Sequence, residues 1–195
     1  MTRAAPTNVY IVEYMCTRCK ATRRSVPTFA DQPYTVKNEA AECINGFKET
    51  IYRCEIKLVG RQRLFNGTMT YGEDMASDHF KYQIEIFNAP AGDKQFKRLP
   101  LGVPRTAICE GFKAYYGDFL QPSLIHGENT DLPYMPEEGL CPFPKGEYWF
   151  KNLQLNTDAW PEQIPRGFVK AVITYFKDGV DVGGLSVTLR IEDRE

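Results

Sequence analysis

Apolar and polar residues alternate one by one over long stretches of this chain, and a period of two commits those stretches to pleated strands. Between residues 52 and 58, Tyr52, Cys54, Ile56 and Leu58 face one way and Arg53, Glu55 and Lys57 the other. Phe80, Tyr82, Ile84 and Ile86 repeat the pattern against Lys81, Gln83 and Glu85. Residues 168 to 176 and 185 to 191 flank Asp178-Gly179, a two-residue hairpin signal. In the last strand Leu185, Val187, Leu189 and Ile191 point inward, Ser186, Thr188 and Arg190 outward. A sheet with one dry face must cover it, so the pattern predicts a mainly β protein, two antiparallel sheets stacked as a sandwich. The 195 residues, 43% of them hydrophobic, are enough for one domain over residues 1–195 with a sizeable core. Residues 1–7 are expected to be flexible.

One segment breaks the alternation. From residue 106 to 120, Ile108, Phe112, Tyr115, Tyr116 and Phe119 recur at three and four, the spacing of one helical face. Thr106 is the expected N-cap, and Gly117 and Pro122 limit the far end. Gly111 weakens this helix by about 1 kcal/mol relative to alanine. Residues 121 to 147 then form a long loop with five prolines and the apolar Leu124, Ile125, Leu132, Tyr134 and Met135. Loops of this length are uncommon unless functional or cross-linked, and this one is expected to fold over a cavity mouth as a lid or rim.

Lys+Arg of 24 against Asp+Glu of 25 leaves a formal net charge of -1, which argues against a nucleic-acid partner or a polybasic membrane anchor. Six cysteines, at 16, 19, 43, 54, 109 and 141, favour a disulfide framework and an oxidising compartment. The sequon Asn66-Gly67-Thr68 agrees, and Asn66 is the expected glycosylation site. Asn66-Gly67 also reads as a tight β turn. Residues 1 to 8 lack the apolar run of ~7–15 residues that a signal peptide needs. Residues 9 to 12 read as a strand. A leader trimmed from this sequence is the expectation that keeps the protein extracellular.

Catalytic and metal chemistry find little footing. Cys16-Thr17-Arg18-Cys19 is half of a zinc site or a redox pair, but His79 and His126 are isolated from it and the chain lacks the alternating α/β pattern of a thioredoxin-type site, so structural cysteines at a strand end are expected. No Gly-x-Ser-x-Gly elbow occurs. Asp78-His79 would point to opposite faces of a strand. Gly183-Gly184 reads as a bulge in the terminal hairpin rather than a phosphate loop. The expectation is no enzyme, no cofactor and no metal. A bridge between Cys109 and Cys141 would close about thirty residues and be worth roughly 3–4 kcal/mol, but six cysteines leave fifteen connectivities.

Cys141-Pro142-Phe143-Pro144-Lys145-Gly146-Glu147-Tyr148, followed by Trp160-Pro161 and Ile164-Pro165-Arg166-Gly167-Phe168, resembles the ganglioside activator and CheB-type insect proteins of the ML lipid-recognition superfamily. Residues 108–110 and 120–122 resemble the activator's helix and following loop, and coverage runs over roughly residues 105 to 191. The resemblance implies a β-cup enclosing an apolar cavity, secretion, and a role in chemosensation of pheromones or other hydrophobic cues. It also implies the Cys109–Cys141 pairing and leaves Cys16, Cys19, Cys43 and Cys54 unassigned.

In such a cavity each buried methylene is worth about 0.8 kcal/mol, so a hydrocarbon supplies most of its own affinity. The expected wall is Phe112, Tyr116 and Phe119 from the helix, Leu132, Tyr134 and Met135 from the loop, and Trp149 and Trp160 beside it. The leading expectation is a non-enzymatic carrier or co-receptor for a lipid or other hydrophobic molecule, with a membrane receptor or membrane surface as a further contact. An accessory protein presenting membrane lipids to a hydrolase, and an interaction module with a filled core, are the alternatives.

Overall fold

Strand β1, Tyr34–Ile44, pairs antiparallel with the last strand, β8, Val180–Asp193, and forms one edge of the larger sheet. The computed structural model describes residues 32–90, 93 and 95–194. The expectations for residues 1–7, the strand at 9 to 12 and Cys16 and Cys19 lie outside the described residues. The remaining strands are β2 (Tyr52–Val59), β3 (Leu64–Tyr71), β4 (Phe80–Ala89), β5 (Lys97–Ala107), β6 (Gly146–Leu153) and β7 (Gly167–Lys177). They form a five-stranded sheet, β1-β8-β7-β4-β5, and a three-stranded sheet, β2-β3-β6, all pairs antiparallel. The protein is the two-sheet sandwich that the alternation requires.

The expected inner rows are found in register. Ile84 lies opposite Ile173, and Ile173 opposite Leu185. Tyr52, Cys54, Ile56 and Leu58 lie opposite Tyr71, Met69, Gly67 and Phe65. The hairpin turn falls at Asp178 and Gly179, with φ of 48° and 82°, the left-handed pair that a two-residue turn of right-twisted strands needs. The bulge expected at Gly183-Gly184 is present, where the β7–β8 register shifts between Thr174 and Phe176.

The sheets meet most closely where β2 lies against β1 and β8. The disulfide Cys43–Cys54 joins the two edge strands on that side. On the other side the wider sheet overhangs, and the helix and the long loop fill the overhang. The second disulfide, Cys109–Cys141, fastens these two together, as the resemblance implied. Two disulfides fit an oxidising compartment. No helix among the described residues is long and apolar enough to cross a membrane.

The helix starts later than its sequence suggests. Thr106 belongs to β5, where its hydroxyl donates to Pro104 O at 2.7 Å, and the N-cap is Ala107 without a side-chain cap. An α-turn, Ile108–Gly111, a π-wound turn, Phe112–Tyr116, and a last turn, Gly117–Phe119, run on as one helix, α1. Gly111 is required by close approach: a Cβ there would sit 2.2 Å from the Tyr82 ring. The propensity loss is the cost of letting β4 touch the helix backbone.

Asn66-Gly67 is not a turn. Both residues lie inside β3, the middle strand of the small sheet, and the chain reverses earlier, where Arg63 N donates to Gly60 O at 3.2 Å. Gly67 has φ of 148°, a Cβ on it would meet Glu55 O at 1.8 Å, and the β3–β6 register shifts between Phe65 and Gly67. Turn chemistry and bulge chemistry both use a glycine at positive φ, which is why the sequence misleads. Gly67→Ala is therefore expected to lower stability by about 1–3 kcal/mol in urea unfolding, with the native β signal retained. An unchanged midpoint would show that β2 and β3 can part at no cost.

Candidate functional site

Between the sheets the most deeply buried side chains gather at two ends, and those of the middle are partly buried. At one end, Tyr52 stacks on Tyr175 across the sandwich with ring centroids 4.7 Å apart, and Tyr71 meets both edge-on. Phe143 and Phe112 continue this aromatic packing toward α1. At the other end, Tyr34, Val169, Leu189 and Ile191 are buried, together with Asn38. Between them lie Ile56, Leu58 and Met69 on one sheet and Ile84, Ile173, Leu185 and Val187 on the other. All seven pack against the core, yet none is fully buried.

The residues of the expected wall fall at different depths in the structure. Phe112, Tyr116, Leu132 and Met135 are all buried, and Phe112 locks against Tyr82, Tyr116 and Phe143 at 5.4, 5.8 and 5.3 Å. These residues lie in the buried aromatic cluster at the helix end. Phe119 is half-buried, and Trp160 is half-buried and packed on the core. Trp149 alternates with the inner Tyr148 and Phe150 and so takes the outer face of β6. Tyr134 is 68% exposed. Two surface concavities, of about 490 and 410 Å³, lie by the β2–β3 turn and the β1–β8 end. Most of the residues that line them are of charged or polar type, and none of the expected wall residues is among them.

The long loop is tied to the small sheet as a buttress. Buried Thr130 donates from its hydroxyl to Trp149 O at 2.9 Å and accepts from Leu132 N at 3.1 Å. Trp149 N donates to Asp131 Oδ1 at 2.7 Å, Lys151 N to Asn129 O at 2.8 Å, and Met135 N to Gln121 Oε1 at 2.8 Å. Side chains thus supply the partners that an irregular segment cannot find in itself. Beside the exposed His126, Glu128, Glu137 and Glu138, large apolar side chains also stay outside: Leu120 at 44%, Ile125 at 52% and Tyr134 at 68% exposure.

The inner phenols are held neutral. Burial raises the pKa of Tyr52 and Tyr71 well above the usual phenol value, and pushes Tyr175 up to about 12. Tyr82 and Tyr116 are raised too, again by burial first. No charged side chain is buried among the described residues. Asn66 is half-buried on β3, with Nδ2 3.4 Å from Leu64 O.

His79 is not on a strand with Asp78 behind it, as alternation suggested. It sits just before β4 at the surface, with Nδ1 2.9 Å from Asp178 Oδ1 and Nε2 3.5 Å from Asp78 Oδ2. The hydrogen bond to Asp178, then the charge of Asp78, raises its pKa above the ordinary 6.5. A raised folded value means that the stabilisation is full below the unfolded value and fades as pH climbs through the folded one. Ring-proton NMR should show a midpoint above 6.5, moving down in Asp178→Asn. A midpoint that ignores this substitution would remove the pairing.

Residues 80–171, a little under half of the chain, match the family model described as "Protein of unknown function (DUF1091)". The matched span runs from the start of β4 to the middle of β7 and includes α1, the buttress loop and the Cys109–Cys141 bridge. No curated protein matches the chain.

Proposed function

We propose that this protein is a secreted, non-enzymatic binding protein that holds a lipid or other hydrophobic molecule between its two sheets, acting as a carrier or co-receptor for hydrophobic chemical cues. The observation that carries the reading is the partly accessible apolar row in the middle of the sandwich, Ile56, Met69, Ile84, Ile173 and Leu185, between two more deeply buried ends. Residues of this kind select a guest by length and shape. The oxidising compartment indicated by Cys43–Cys54 and Cys109–Cys141 suits secretion. The family match over residues 80–171 overlaps the stretch that resembles the ML superfamily.

Protein purified natively should release an apolar molecule in near-stoichiometric amount on organic extraction, identified by mass spectrometry. Emptied protein should enhance the fluorescence of the neutral probe phenylnaphthylamine. Protein that is empty when isolated and fails to bind the probe would leave the filled-core interaction module, which the interlocked rings of Tyr52, Tyr71, Tyr175 and Phe143 favour. A second reading rests on exposed Leu120, Ile125 and Tyr134, which give one end an apolar rim suited to dipping into a bilayer. It makes the protein an accessory factor that extracts membrane lipids. Transfer of lipid out of liposomes, lost in Tyr134→Ser with probe binding intact, separates it from a plain carrier.

A further inference from the structure

A hydrophobic site is expected to be lined by carbon, yet the aromatic end of this interior carries hydroxyls. Tyr52 Oη is buried without a hydrogen-bond partner. Its ring is on the inner face of β2, stacked on Tyr175 of β7 and edge-on to Tyr71 of β3. The Tyr71 and Tyr175 hydroxyls are 3.1 Å apart, so one donates to the other and a single hydrogen of that pair is left to give. Three phenols from three strands therefore hold two unspent donors and spare lone pairs inside an apolar interior. Phenylalanine at 52 would stack equally well without an orphaned oxygen, so packing alone gives no reason for the hydroxyl.

The surroundings fix what kind of group can meet it. No charged side chain is buried among the described residues, so a carboxylate or phosphate brought here would have no counter-ion and would have to shed its charge first. A plain hydrocarbon would leave Tyr52 unpaired. A neutral oxygen satisfies the site in both respects, as acceptor from Tyr52 or as donor to it. Beyond the phenols in the same inner face lie Ile56, Met69, Ile84 and Ile173, apolar and partly accessible, a path for the attached chain.

Resting on the binding function proposed above, we propose that the ligand is a neutral oxygenated lipid, an alcohol, aldehyde, ketone or ester, seated with its oxygen inward on the hydroxyls of Tyr52, Tyr71 and Tyr175 and its hydrocarbon along the middle of the sandwich. The orientation is the reverse of a lipid held by its tail with a polar head in water. Selectivity then comes from the functional group as well as from chain length.

Competition against phenylnaphthylamine with dodecane, dodecanol and dodecanoate tests this on the wild-type protein and on Tyr52→Phe. Wild type should prefer dodecanol to dodecane by about tenfold, the value of one well-made hydrogen bond. Dodecanoate at neutral pH should be weaker than dodecanol by on the order of a hundredfold, because it must bind protonated. In Tyr52→Phe the preference for the alcohol should collapse while dodecane stays within about twofold, since only the hydrogen bond has gone. The variant should melt no lower than wild type, because it loses an unsatisfied oxygen. Equal binding of dodecane and dodecanol, tightest binding of dodecanoate, or an alcohol preference that survives Tyr52→Phe overturns the assignment and leaves the carrier function standing. If no member displaces the probe, or the probe itself does not bind, both fall together. Should Tyr52→Phe not fold, the wild-type series alone decides.

Discussion

Phe143→Ala is expected to lower folding stability by about 4 kcal/mol, read as a reduced urea midpoint at unchanged slope. The side chain is 1% exposed and its ring lies 4.9 Å from Tyr71, 5.3 Å from Phe112 and 5.9 Å from Tyr148. Those three partners belong to β3, α1 and β6, so one ring joins the small sheet to the helix that covers the overhang. Its backbone is pinned as well, exchanging hydrogen bonds with Met75 at 2.8 and 3.0 Å. The surrounding rings cannot collapse into the gap without breaking that exchange, which places the loss toward the upper end of the usual range. Phe143→Leu, which keeps most of the volume, should cost under about 1.5 kcal/mol. A loss below about 1 kcal/mol in the alanine variant would mean that the aromatic end is loosely filled.

The strands that face both a core and solvent were legible because their residues obey two rules at once. Tyr52 to Leu58 and Phe80 to Ile86 alternate and also use strand-forming side chains, and Asp178-Gly179 supplies the backbone angles of its turn. β5 was not legible. As the edge of the large sheet it pairs on one side only, so it tolerates Pro100, Gly102 and Pro104, which read as loop. The site was half legible. The inner phase of the alternation already set Tyr52 and Tyr82 in line with Ile56 and Ile84, and that phase was the signal that could have found the tyrosine cluster. The expected wall was drawn instead from aromatic residues on the helix and loop, because periodicity says which face a residue takes and not how tightly its neighbours close on it. For Trp149 even the face was hidden: Tyr148, Trp149 and Phe150 are consecutive aromatics, and only pairing with β3 tells inner from outer. The buttress loop escaped reading for another reason. Thr130, Asp131, Asn129 and Gln121 look like ordinary loop residues until their partners, 14 to 19 positions away for three of the bonds, are known.

Removing the Cys109–Cys141 bridge, in the double variant Cys109→Ser and Cys141→Ser, should destabilise the protein by about 4 kcal/mol in the chain-entropy account. The bridge spans 32 positions, whereas Cys43–Cys54 spans 11 and should be worth nearer about 3 kcal/mol. The order of the two losses is the sharper test, since errors in the unfolded reference state affect both. The consequences should also differ in place. Without Cys43–Cys54, the β1–β2 side still has close packing between the sheets. Without Cys109–Cys141, the overhang is held by Phe143 and by the side-chain hydrogen bonds of residues 121 to 135. Limited proteolysis of the first double variant should therefore cut first within residues 120 to 140, ahead of global unfolding. If the two bridges prove equal, or Cys43–Cys54 the stronger, loop length does not set their worth here. If protease spares the loop, its hydrogen bonds suffice alone, and the bridge then serves to fix the rim of Leu120, Ile125 and Tyr134 against α1.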